Sequence, residues 1–223
     1  MISIAIDGPA GAGKSTISRT VSKEMGYIYV DTGALYRTVA LKFIAGGSTP
    51  EDIKNVEATL ASTQVSIEFK NGEQRMMLDG ADVTDSIRTP EVSMMASAVS
   101  ALLPVRAYLL DTQRRLAAEN NVLMDGRDIG TVVLPDATVK IFLTASPEDR
   151  AHRRYDELAA KGVSVSYEEV LKDIIKRDHN DSTRAIAPLR PAEDAVVLDT
   201  SGNTFEESVD AIKSVISERL KGK

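Results

Sequence analysis

The sequence predicts an α/β fold: a P-loop parallel sheet flanked by helices, with a small inserted antiparallel β subdomain and a helical lid. Three observations carry this. Gly8-Pro9-Ala10-Gly11-Ala12-Gly13-Lys14-Ser15 fits the phosphate-binding pattern G-x-x-x-x-G-K-[ST], between a β-rich run and a helical one. Short apolar runs ending in aspartate, at 27–31 and 121–125, alternate with longer helical patterns. From Val65 the periodicity changes to two, and Asn71-Gly72 supplies a hairpin turn.

In chain order, Ile2 to Asp7 reads as the first strand and Ile17 to Met25 as the helix after the glycine loop. Tyr27 to Asp31 is a short strand, followed by a helix from about Ala34 to Ile44 that stops at Gly46-Gly47. Thr49-Pro50 opens another helix, with Thr49 as N-cap and Pro50 at the first helical position. Val65 to Phe69, Arg75 to Leu78 and Val83 form the inserted sheet. Helical patterning returns near Pro90, breaks at Pro104 and resumes to about Glu119. Asn121 to Asp125 is a buried strand leading into Gly126-Arg127-Asp128-Ile129-Gly130, and Val139 to Leu143 is another strand. A helix capped near Ser146 with Pro147 at N1 follows, then a break at Gly162 and a helix over about 167–181. The strand Ala195–Leu198 and an amphipathic helix over about 205–220 end the chain, with Lys221-Gly222-Lys223 expected to fray.

Composition narrows the function classes. With 223 residues, 43% of them hydrophobic, the chain can bury one sizeable core. It has no cysteine, which excludes disulfides, thiolate metal sites and a cysteine nucleophile. His152 and His179 are too far apart for a local metal motif and read as surface residues. No apolar run approaches the ~20 residues needed to span a bilayer, so a soluble cytoplasmic protein without membrane partners is expected. A net charge of −6 argues against gripping polymeric nucleic acid. Yet ten of the fifteen arginines fall between Arg106 and Arg190, which suits a small anionic ligand in a local pocket.

The P-loop residue types explain their own chemistry. Glycines let backbone amides approach phosphate oxygens, and the following helix brings its positive N-terminal end to the same point. Lys14 can reach the β- and γ-phosphates of a nucleoside triphosphate, and the Ser15 hydroxyl can ligate Mg²⁺. Strands that alternate with helices place their carboxyl ends at a ligand crevice, and Asp31, Asp125 and the P-loop all lie just past such ends.

A hydrolase must position water, whereas a kinase needs a second anionic site. Arg37 and Arg127 stand near strand ends, where planar guanidinium forks would clamp an acceptor phosphate. Val170, Ile174, Arg177, Asp181 and Arg184 share one helix face that passes from apolar to charged, as expected where a helix emerges into a cleft. Arg150, Arg153 and Arg154 cluster before Gly162 and read as lid arginines that close over the triphosphate.

The segments Ile6 to Thr16, Asp31-Thr32-Gly33-Ala34-Leu35-Tyr36-Arg37, Asp125 to Val133 and Asp178 to Leu189 resemble bacterial cytidylate kinases, in order and essentially end to end. The resemblance implies transfer of the ATP γ-phosphoryl group to CMP or dCMP with Mg²⁺, by a monomer. It implies a single domain with a core at about 1–33, 86–146 and 185–223. A monophosphate-binding region with the inserted sheet would lie at about 34–85, and a lid with adjoining helices at about 147–184. Gly8 to Thr16, Arg150 and Arg154 would bind ATP, with Lys14, Arg127 and Arg154 catalytic. The resemblance gives Arg37 and Arg127 to the acceptor phosphate, and Thr32, Arg106, Asp128 and Arg184 to cytosine. Ser97, Arg177 and Asp181 go to the ribose and nearby phosphate. A carboxylate at Asp128 suits cytosine, whose N4 amino group donates where uracil presents an acceptor. Asp125 either holds a Mg²⁺-bound water or orients Arg127. The rival acceptors are UMP, AMP or a small metabolite. A P-loop switch is disfavoured because the chain has no N-K-x-D and no L-S-G-G-Q segment.

Overall fold

A computed structural model describes residues 1–160 and 162–221. Of the three residues expected to fray, Lys221 closes the last helix instead, and Gly222 and Lys223 lie outside the described residues. The elements run β1 (Ser3–Asp7), α1 (Lys14–Met25), β2 (Ile28–Asp31), α2 (Thr32–Ala45), α3 (Ile53–Ala61) and β3 (Val65–Lys70). They continue with β4 (Glu73–Leu78), β5 (Ala81–Asp82), α4 (Pro90–Val99), α5 (Leu103–Glu119), β6 (Val122–Gly126) and β7 (Val139–Thr144). The chain ends with α6 (Pro147–Ala160), α7 (Tyr167–Thr183), β8 (Val196–Asp199) and α8 (Phe205–Lys221). Two compact units result, one of residues 28–122 and one of 2–27 with 123–223.

The second unit holds four strands of the main sheet in the order β6-β1-β7-β8. β1 pairs with β7 in parallel, Ile4 opposite Val139 and Asp7 opposite Phe142, and β7 pairs in parallel with β8. β1 is almost wholly buried, as a near-continuous apolar run in a parallel sheet should be. Helix α1 begins at Lys14, three residues before the sequence pattern suggests, because Gly13 turns the chain straight into it at φ +84°. α6 starts as expected: the Ser146 Oγ accepts from the Asp149 amide at 3.1 Å, with Pro147 first in the helix. α6 and α7 close on a small cluster of Ala151, Val170 and Ile174, and His152, exposed as expected, stacks on Tyr167 at 4.3 Å.

In the first unit α2 begins two residues before the expected Ala34. Asp31, the last residue of β2, also N-caps it, its Oδ1 accepting from the Ala34 amide at 2.9 Å. The cap of α3 is Asp52 rather than Thr49: its Oδ1 accepts from the Asn55 amide at 3.2 Å, and Pro50-Glu51 form a turn ahead of the helix. The break between α4 and α5 falls at 100–102 and not at Pro104, which sits in the first turn of α5, where a helix needs no amide from it.

The inserted sheet is antiparallel in the order β3-β4-β5, with Val65 opposite Leu78. Asn71 and Gly72 turn the hairpin with φ of +54° and +79°, the pair of left-handed residues that a two-residue hairpin loop demands. Its Met76 joins the unit's core with Leu35, Val39, Phe43, Val92 and Leu109. Among the described residues no single helix is long and apolar enough to cross a membrane. The bent pair α4 and α5 passes that test only taken together, and its apolar residues Val92, Val99, Val105 and Leu109 are core.

Phe43 is fully buried at the centre of that core. Phe43→Ala should lower stability by about 3–5 kcal/mol, the cost of lost burial plus a cavity, read as a lowered urea midpoint at unchanged slope.

Candidate active site

The P-loop leaves the end of β1 through Gly8, Gly11 and Gly13, whose φ values are +151°, +76° and +84°. At Gly8 the requirement is also spatial, since a β carbon there would collide with the Leu143 carbonyl oxygen of β7. The sheet therefore fixes where the loop begins. Lys14 is buried and its Nζ donates to the Pro9 carbonyl at 2.7 Å, which bends the side chain back over the loop's own backbone. Burial, reinforced by the nearby Arg127 guanidinium, pushes its pKa down to about 7. Thr16, beyond it on α1, is exposed.

The Ser15 Oγ donates to the Asp125 Oδ2 at 2.7 Å. A hydroxyl and a carboxylate side by side are hard oxygen donors of the kind Mg²⁺ takes, so the residues present fit that ion. Of the two roles open to Asp125 in the sequence, this contact favours the one at the metal.

Asp125 belongs to the end of β6, and the chain continues through Gly126, Arg127 and Asp128 into a π-helical turn at Ile129–Val133. Arg127 Nε donates to Asp181 Oδ2 on α7 at 2.9 Å. Asp128 is 4% exposed and lies 3.4 Å from Arg184, whose Nε also donates to the Ala187 carbonyl at 2.7 Å. The face of α7 runs as expected from buried Val170 and Ile174, past half-buried Arg177, to buried Asp181, but Arg184, expected on the same face, is the extended residue just past the helix end. At the end of β1, Asp7 accepts from the Ile129 and Gly130 amides, both at 2.7 Å. Burial pushes its carboxyl up to about 6 while those two amides pull it down, so it is ionised at neutral pH.

The three arginines expected in a lid do not share one direction. Arg150 is buried, bonds both oxygens of Asp178 at 3.0 and 2.6 Å, and donates to the P-loop carbonyl of Ala10 at 3.0 Å. Arg153 donates to the Thr200 carbonyl at 2.9 Å, and Arg154 pairs with Glu157 on the exposed face of α6. Side chains three or four apart lie on one face, but their length lets each find a different partner.

In the first unit Arg37 donates to Asp31 Oδ2 at 2.9 Å, and its Nε is buried with no hydrogen-bond partner among the described residues. Thr32 is buried beside Asp31 in the chain, and Ser97 is half-buried on α4. Arg106 donates to the Ser100 carbonyl at 3.1 Å and lies 5.8 Å over the Tyr36 ring. Two residues of this cluster escaped sequence reasoning. Arg88 reaches the same Asp31 oxygen at 3.5 Å, and Gln74 of β4 brackets the Asp31 backbone, accepting from its amide at 2.8 Å and donating to its carbonyl at 3.3 Å. Neither sits in a motif; the only signal for Gln74 is a polar residue on the same strand face as the buried Met76.

Residues 4–218 match the family model described as cytidylate kinase. The chain is 50% identical over 216 residues to the cytidylate kinase of Carboxydothermus hydrogenoformans, covering 97% of each chain. It is 51% identical over 220 residues to that of Caldicellulosiruptor bescii, covering 99% of this chain and 97% of the relative. The cytidylate kinase of Geobacter sulfurreducens is 48% identical over 216 residues, 97% of this chain and 93% of its own. A solved structure of an uncharacterized protein from Eubacterium ventriosum aligns with TM-score 0.55 over 97% of this chain and 99% of its own, at 11% identity, a likeness of fold alone.

A lysine held near 7 should regain a proton when triphosphate charge arrives, because that charge raises its pKa back toward 10.5. At about pH 8.5, MgATP binding should therefore take up a fraction of a proton approaching one. Calorimetry in buffers of different ionisation enthalpy measures this, and Lys14→Ala should abolish the uptake. The same variant should lower turnover by about 10²-fold or more, with the fold retained by circular dichroism.

Proposed function

The chain belongs to the cytidylate kinase family and transfers the γ-phosphoryl group of ATP to CMP or dCMP, giving ADP and CDP or dCDP, and on that premise we propose how its residues divide the work. The segment from Gly8 to Thr16, through its backbone amides (Pro9 has none) and the Lys14 ammonium, holds the β- and γ-phosphates, with Arg150 and Arg154 on the ATP side. The Ser15 hydroxyl and Asp125 would hold Mg²⁺, which would supply charge neutralisation at those phosphates. Arg37 and Arg127 take the acceptor phosphate, and Arg88 joins Arg37. The unpartnered Nε of Arg37 supports this, because a buried guanidinium N–H needs an acceptor.

Asp128 reads the cytosine amino group with Thr32, Arg106 and Arg184 beside the base, while Ser97, Arg177 and Asp181 take the ribose. Transfer is then in-line, with no covalent enzyme intermediate. The CMP phosphate is already an anion at neutral pH, so orientation and positive charge suffice and no strong general base is needed.

The observation that carries this division is the turn after β6. Within four residues it sets Asp125 against the P-loop Ser15 and Asp128 beside Arg184, so metal-side and base-side groups share one short segment. Arg127 and Arg184 are each paired with a carboxylate, Asp181 and Asp128, and a nucleotide would exchange those partners for its phosphate and base. We read the enzyme as a cytoplasmic monomer acting on free nucleotides, in keeping with its net charge of −6.

Steady-state assays with CMP, dCMP, UMP and AMP test the assignment. Asp128→Ala should lower kcat/KM for CMP about 10- to 100-fold more than for UMP, the worth of one well-placed buried hydrogen bond. An equal loss on both would make Asp128 an anchor for Arg184 instead, and better turnover of UMP than CMP by the unaltered enzyme would remove the cytosine reading altogether.

A further inference from the structure

β1 ends at Asp7, and Gly8 opens the P-loop immediately after it. The Asp7 side chain is 4% exposed and turns toward the segment that follows β6, distant in sequence. Its Oδ1 takes the Ile129 amide and its Oδ2 the Gly130 amide, each at 2.7 Å, across 122 and 123 positions of chain. Those two amides open the π-helical turn Ile129–Val133, whose later amides at Val132 and Val133 bond back to the Asp128 carbonyl at 2.9 and 3.2 Å. The first amides of such a turn have no partner within it. Asp7 supplies one from another strand, and with one N–H on each oxygen it sets the rotation of the turn as well as its position.

The fit is close from the other side too. A β carbon on Gly130 would meet Asp7 Oδ2 at 3.4 Å, an ordinary van der Waals contact, and the Lys140 side chain at 3.2 Å, so the carboxylate packs directly against the turn it bonds. The residues immediately ahead of the two bonded amides are Asp128 and, before it, Arg127.

We propose that Asp7 is a positioning residue for acceptor recognition: by holding the Ile129 and Gly130 amides it fixes Arg127 and Asp128 relative to the P-loop, so cytosine selectivity depends on a carboxylate that touches no nucleotide. The proposal rests on Asp128 as the base reader. It names a fixed link between the loop that takes the donor and the turn that selects the acceptor. A shift of the turn of about 1 Å is enough to cost a large factor in rate while the P-loop stays intact.

Asp7→Asn is the sharp test, being close to isosteric. An amide offers one acceptor oxygen and one NH₂ group, so one of the two backbone N–H groups would face another donor and the turn must rotate. The expected result is a rise of about tenfold in KM for CMP and a fall of about tenfold in the CMP-to-UMP efficiency ratio. KM for ATP should stay within about twofold in the folded, cooperatively melting variant. A lowered melting temperature with both KM values and the ratio unchanged would overturn the proposal, leaving Asp7 merely structural. So would KM for ATP and CMP rising together, which would place its effect on the P-loop. If Asp7→Asn does not fold, Asp7→Glu, which keeps both acceptor oxygens but lengthens the arm by one methylene, shifts the same two bonds, and the same two readouts decide. Asp128→Ala run in parallel separates the two ideas. An unchanged ratio there removes the base reader itself. A changed ratio there with none in Asp7→Asn removes only the positioning role.

Discussion

A single buried carboxylate at the end of β1, accepting two backbone amides from a turn 122 and 123 residues away, is the constraint on which the arrangement of the second unit depends. It stands at the last point where β1 is still sheet, one residue before the loop turns away. A charged hydrogen bond contributes about 1.5–3 kcal/mol, yet the Asp7 pKa stands at about 6 rather than 3.8, so burial outweighs both bonds together. The displacement corresponds to about 3 kcal/mol. Its sign is the opposite of the usual salt-bridged aspartate: the folded state holds the proton more tightly than the unfolded chain. This contribution to stability is therefore full below about 3.8 and gone above about 6. Burial thus works against the ionised form, while both of its oxygens remain engaged by the turn.

The same economy runs through the arginines. Arg37 pairs with Asp31, Arg127 with Asp181, Arg150 with Asp178 and Arg184 with Asp128. Both members of the Arg184–Asp128 pair are nearly buried, with side-chain exposures of 9% and 6%. A guanidinium taken out of water alone would cost several kcal/mol. The carboxylate removes most of that penalty and at the same time stops the long side chain from sampling other rotamers. Arg127 and Arg37 are more open, at 26% and 21%, with one edge of each fixed by its carboxylate. A partly exposed, pre-oriented fork suits the phosphate role proposed for these two, while Arg150, on the ATP side of that proposal, is already held by Asp178 and the Ala10 carbonyl and so joins α6, α7 and the P-loop.

How much of this was legible in the sequence follows from the range of the interactions. The P-loop, the hairpin at Asn71-Gly72, the Ser146-Pro147 helix start and the row along α7 as far as Asp181 are encoded within a few residues, and all are readable. Errors came where two local signals competed. Thr49-Pro50 looks like a helix start, but Asp52 is the stronger cap and lies nearer the helix, and Pro104 looks like a breaker yet occupies the one turn that tolerates it. What could not be read was pairing across distance. Nothing local in Asp85-Ser86-Ile87-Arg88 says that its arginine meets Asp31, 57 positions earlier. The arginine cluster of α6 was visible as a cluster, but its separate partners, Asp178, Thr200 and Glu157, are facts of packing.

The inserted sheet shows how such distant pairing gives a purpose to a segment whose sequence is mute. In β4, Gln74 and Met76 are two residues apart and so point to the same face. Met76 fills the core under α2, which fixes how the sheet lies on that helix. Gln74 then arrives at the Asp31 backbone, occupying its amide and carbonyl as a neighbouring strand would. Asp31 is in turn the N-cap of α2 and the common partner of Arg37 and Arg88. This polar strand thus bears on the residue that pairs with two arginines, and the apolar residue beside it supplies the leverage. A short sheet with one buried methionine is enough, because the contact it must hold is a single pair of hydrogen bonds.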